Sequence, residues 1–110
     1  MQRNADKIWE NANNRQLADV LTLIDDSSTM RQFLRDVMTG SEIIEIGSRF
    51  EAARMLKSGS RYTDIAQQTK LSSRTIARIS DWIKQNNNGY SEAINKIDNH
   101  QKHILPAPTE

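Results

Sequence analysis

The run Tyr62-Thr63-Asp64-Ile65-Ala66-Gln67-Gln68-Thr69-Lys70-Leu71-Ser72-Ser73-Arg74-Thr75-Ile76-Ala77-Arg78-Ile79-Ser80 decides how this chain reads. Ile65 and Ala66 fit one short helix, Leu71 falls in a turn, and Ile76 and Ile79 fit a second helix. Such spacing lets two helices cross over a small shared core. The outward positions of the second helix are then Ser73, Arg74, Ala77 and Arg78. A cationic helix held out by a supporting helix fits the major groove of DNA. The expectation is a helix-turn-helix and a DNA-binding protein rather than an enzyme.

The charge distribution points the same way. The formal net charge is only +1. From Arg54 to Lys84, however, seven Lys and Arg stand against Asp64 and Asp81, a local net of +5. Residues 1–53 carry six basic and nine acidic side chains, and residues 85–110 two and three. A basic region beside an acidic one is the footprint of a protein that meets a polyanion on one face. Charge alone reads equally well as a solvated helix face, and the helix-turn-helix pattern moves the balance toward DNA.

With 110 residues, 36% hydrophobic and 26% charged, the chain suits one soluble helical domain with a modest core, or an obligate oligomer. No apolar run approaches the roughly 18 residues that span a membrane. No apolar signal segment opens the chain, so the expected location is the cytoplasm, with no membrane partner. The lack of cysteine excludes disulfides and Cys-ligated zinc.

Strand signals are nearly absent, and the fold class expected is all-α: a bundle of short helices containing the helix-turn-helix. A first helix is expected over 5–25, with Ile8, Ala12, Leu17, Val20, Leu21 and Ile24 as its stripe. Asp25-Asp26-Ser27-Ser28 breaks it, and Ser27 or Ser28 is placed to cap a second helix over 29–38. Thr39 and Glu42 have capping-box spacing ahead of a third helix over 41–58. Gly59 suits the residue just past that helix. The helix-turn-helix follows at 62–69 and 73–85. Asn86-Asn87-Asn88-Gly89 breaks the chain again, a last helix is expected at about 90–99, and 100–110 reads as a tail.

The DNA-facing candidates are Arg61, Thr63, Lys70, Ser72, Ser73, Arg74, Ala77 and Arg78. Arg74 and Arg78 lie at i, i+4, and either can grip guanine in a bidentate contact or merely meet phosphate. Arg74 is favoured for reading bases because it lies nearer the helix N-terminus. Lys70 occupies a turn position where many such motifs place Gly, at a cost of about 1 kcal/mol if the turn is left-handed. It is also placed to meet phosphate. His100 and His103 have ligand-like spacing but no third ligand, so no metal and no cofactor is expected. Trp9 and Trp82 read as core or interface packing. No Gly-rich phosphate loop and no nucleophile–base arrangement is present.

The segment Met38–Ile97 resembles the tryptophan repressor family, in particular its shorter, repressor-like branch of unestablished ligand. The resemblance is carried by Phe33-Leu34-Arg35-Asp36-Val37-Met38-Thr39, Glu42, Gly47-Ser48-Arg49, Ala53-Arg54-Met55-Leu56, Gly59, Tyr62-Thr63-Asp64-Ile65-Ala66, Thr75-Ile76-Ala77-Arg78-Ile79 and Asn88-Gly89-Tyr90. It implies an intertwined homodimer that sets two recognition helices in successive major grooves. It also implies an effector site between the third helix and the recognition helix, to which Thr39, Arg49, Arg78 and Ile79 correspond. Ile79 stands where the tryptophan-binding members have a glycine, so a small-molecule effector other than tryptophan is expected, or none.

Apart from the resemblance, thin amphipathic helices in so short a chain have little internal core to share, which also favours a dimer. The reading is a homodimeric, sequence-specific transcription regulator, a repressor in the first instance. The alternatives are a protein-interaction module that keeps the fold, and a transposase- or sigma-type DNA-binding fragment.

Overall fold

A computed structural model describes residues 4–85 and 88–104. It contains six α-helices and, among the described residues, no strand: α1 (Ala12–Leu23), α2 (Ser27–Val37), α3 (Gly40–Lys57), α4 (Tyr62–Thr69), α5 (Ser73–Ile83) and α6 (Gly89–Ile104), with a 3-10 helix at Asn4–Glu10 ahead of them. The chain groups into two compact units, residues 1–44 and 45–110.

In the first unit, the single helix expected over 5–25 is divided at Asn11. Asn11 is extended, and its side-chain oxygen accepts from the Asn13 and Asn14 N–H groups at 2.8 and 3.2 Å. Asparagine competes for the backbone in this way, so it starts a helix more readily than it continues one. The 3-10 segment is tied back to α1 by Asn14 Nδ2 donating to the Ile8 carbonyl and Arg15 Nη1 donating to the Trp9 carbonyl. The cap of α2 is Asp26 rather than either serine: its carboxylate accepts from the Thr29 N–H at 2.9 Å. That bond holds the Asp26 carboxyl below its ordinary value. Thr39 and Glu42 form the expected reciprocal capping box of α3, at 2.8 and 3.1 Å.

The second unit holds the core. Ala52, Ala53, Ile65, Leu71, Ile76, Ile79 and Ile94 are buried together, with Phe50, Met55, Leu56, Ala66, Ile83 and Tyr90 packed against them. Gly59, at φ 90°, ends α3 in a Schellman turn, Ser60 N donating to Met55 O and Gly59 N to Leu56 O. A left-handed residue there favours the one side chain without a Cβ. Between α5 and α6, Asn88 donates its amide to the Ile83 and Gln85 carbonyls and accepts from Ser91 N–H. Asn86 and Asn87 of the expected break lie outside the described residues, as do residues 105–110 of the expected tail. Helix α6 runs five residues past Asn99, to Ile104, because residues 100–104 contain no Gly or Pro to stop it.

Candidate nucleic-acid interface

Helix α4 spans the expected residues, and a three-residue turn, Lys70 to Ser72, joins it to α5. The turn is held from inside. The buried Thr69 hydroxyl donates to the Ile65 carbonyl at 2.7 Å and accepts from the Leu71 N–H at 3.3 Å. This leaves Leu71 seated in the core and Lys70 in the left-handed region at φ 65°, ψ 13°, with its N–H bonded to the Ala66 carbonyl. Ser72 then caps α5, its Oγ accepting from the Thr75 N–H at 3.1 Å and lying 3.1 Å from the Thr75 hydroxyl.

One side of α5 is committed to the core through Ile76, Ile79 and Ser80. The opposite side presents Ser73, Arg74 and Arg78 to solvent, with Ala77 half-buried on its flank. Arg74 and Arg78 are one turn apart, about 6 Å along the axis. Asp81 and Lys84, exposed on the same stripe, extend it toward the C-terminus. They are legible from the i, i+3 and i, i+4 arithmetic but are absent from the candidate set.

Three arginines of this unit are ion-paired. Arg49 is paired with Glu45 at 2.9 Å, Arg54 with Asp98 at 3.6 Å and Arg61 with Asp64 at 3.4 Å. Lys70, Arg74 and Arg78 have no ion pair or side-chain hydrogen bond among the described residues. Lys84 and Lys96 are likewise unpaired among the described residues, and Lys57 donates only to the Ser91 hydroxyl, so what sets Lys70, Arg74 and Arg78 apart is their shared place on the turn and the outward face of α5. A guanidinium left in water without a carboxylate is available to a phosphate or a base edge at no cost of breaking a bridge.

Arg61 and Thr63 stand at the start of α4, both exposed. The Arg61–Asp64 bridge joins side chains 83% and 52% exposed, so water screens it and it yields readily to a competing anion. Of the residues implied for an effector, Thr39 belongs to the first unit, and its hydroxyl is engaged in the α3 cap. Arg49 faces Glu45, Arg78 points outward, and Ile79 is fully buried in the core.

Two short helices on a three-residue turn, the second buried on one side and cationic on the other, define a helix-turn-helix protein of the DNA-binding class. The Trp repressor protein family model matches residues 12–98. The chain belongs to that family, a family of regulators rather than enzymes. The match includes α1, beyond the stretch in which the resemblance is legible. Among relatives, the chain is similar to the uncharacterised protein YerC of Bacillus subtilis (strain 168), 30% identical over 82 residues that cover 74% of this chain and 79% of YerC. Among solved structures, it is similar to a TrpR-like protein from Eubacterium eligens ATCC 27750, with a TM-score of 0.77, 29% identity, and 84% of this chain and 95% of that one covered. A candidate Trp repressor from Staphylococcus aureus aligns with a TM-score of 0.79 at 25% identity, over 88% and 96%. No helix among the described residues is long and apolar enough to cross a membrane.

Proposed function

We propose that this protein is a homodimeric, sequence-specific transcription regulator that acts in the cytoplasm as a repressor, by occupying an operator with one α5 of each protomer. The observation that carries the reading is the cationic outward face of the turn and α5. Lys70, Arg74 and Arg78 stand unpaired among the described residues on a turn and helix whose other face is locked into the core. Arg74, nearest the N-terminus of α5, reads a base edge. Lys70, Ser72, Ser73, Arg61, Thr63 and Arg78 set the helix on phosphates and base edges around it, and Ala77 lies against the groove floor.

The dimer is supported by what a single chain leaves uncovered. Neither α1 nor α2 has a buried residue. Leu23 and Ile44 are 79% and 69% exposed, and Leu17, Val37 and Ile46 are about half exposed. Apolar surface on this scale gains stability from a second copy. The dimerisation helices, at about 5–58, are then those ahead of the helix-turn-helix. No cofactor enters the account. Any effector is other than tryptophan, because Ile79 is fully buried and leaves no room for a flat ring beside it.

Sedimentation of the purified protein, alone and with DNA fragments selected from a random pool, tests this reading. The expected result is a dimer at micromolar concentration that enriches an inverted repeat, with half-site centres about 34–36 Å apart or a multiple of that distance. A stable, folded monomer of 12.6 kDa that enriches no sequence would overturn it.

A further inference from the structure

The outward stripe of α5 consists of Ser73, Arg74, Ala77, Arg78, Asp81 and Lys84, and Ala77 is its one apolar side chain. Ala77 is half-buried, while the five others are exposed. Its short side chain lies on the flank of the stripe, one i, i+3 helical step from Arg74. A methyl group offers nothing to a phosphate and nothing to a hydrogen-bonding base edge. In the major groove its one favourable partner is the C5-methyl of thymine.

We infer that Ala77 is a specificity-determining residue that packs on a thymine methyl in each half-site, within two base pairs of the one read by Arg74. This rests on the proposed DNA-binding role and deepens it. Ala77 lies three residues beyond Arg74, about 4.5 Å along the helix axis. One base-pair step is about 3.4 Å. The thymine therefore lies one or two base pairs from the guanine that Arg74 grips.

The test changes the DNA before the protein. After selection of the preferred fragment, each thymine is replaced in turn by deoxyuridine, which pairs identically but lacks the methyl. The wild-type protein is expected to lose affinity by about fourfold at one thymine per half-site, the worth of one buried methyl. Replacing both symmetric thymines multiplies the losses. The same ratio is then measured for Ala77→Gly, each variant being its own reference so that a change in helix stability cancels. The deoxyuridine penalty is expected to vanish in this variant. If no thymine is sensitive, or if the penalty persists undiminished in Ala77→Gly, the assignment is wrong while the DNA-binding reading stands. If no sequence is selected at all, the DNA-binding reading fails and takes this inference with it.

Discussion

The side-chain amide of Asn88 donates to the main-chain carbonyl of Ile83 at 3.0 Å, closing the C-terminal end of α5. The same amide reaches the Gln85 carbonyl at 2.7 Å, and the Asn88 oxygen accepts from the Ser91 N–H at 2.8 Å, opening α6. One partly buried side chain therefore satisfies groups at the ends of two helices. Asn88→Ala is expected to destabilise the fold by about 1–2 kcal/mol, as the loss of a helix cap does. Urea unfolding checks this, and an unchanged midpoint would show that water replaces all three bonds without cost.

Lys70 is the one non-Gly residue with positive φ among the described residues. Its left-handed conformation is strained by its Cβ, while its exposed ammonium group is the one proposed to meet phosphate. Lys70→Gly is therefore expected to act in opposite directions. The fold gains about 1 kcal/mol as the Cβ strain is removed. DNA binding weakens alike on all sequences, and the salt dependence flattens by about one unit as one phosphate contact disappears. Thermal unfolding and salt-series titrations separate the two effects. A stabilised variant with unaltered salt dependence would remove Lys70 from the interface.

Much of this fold is legible in the sequence because its signals are local. The Thr39–Glu42 box, the Schellman glycine at 59 and the Ile65, Leu71, Ile76, Ile79 core all follow from spacing, and the structure has them where spacing puts them. The break at Asn11 is not legible in the same way. A polar residue is tolerated on a helix surface, and only the bonds to the Asn13 and Asn14 N–H groups distinguish a cap from an interior residue. Asp26 outcompetes Ser27 and Ser28 as a cap by one or two positions, a choice that propensity leaves open. At the candidate site, the stripe of α5 is readable by helical arithmetic. Which cations are paired is less so. Glu45–Arg49 is a sequence-local pair that i, i+4 spacing offers, whereas Arg54–Asp98 joins residues far apart in sequence and needs the fold.

Free tryptophan is expected not to bind at the position that Ile79 occupies. The side chain is fully buried, β-branched and stiff at χ1. Inserting an indole against it means displacing core atoms, at about 1–3 kcal/mol or more. That is roughly ten- to a hundredfold or more in affinity. Calorimetry with tryptophan, in the presence and absence of DNA, is expected to give no saturable heat at micromolar ligand. Micromolar binding that tightens DNA affinity would contradict the steric argument.

The central claim is that the outward face of α5 reads sequence through Arg74. The most direct measurement is a titration of wild type and Arg74→Ala on the selected fragment and on a scrambled one, at several salt concentrations. Arg74→Ala is expected to lose about 1–3 kcal/mol on the selected fragment, with much less change on the scrambled one, and to relax selectivity at one position of each half-site. An equal loss on both fragments, or none on either, would contradict the account.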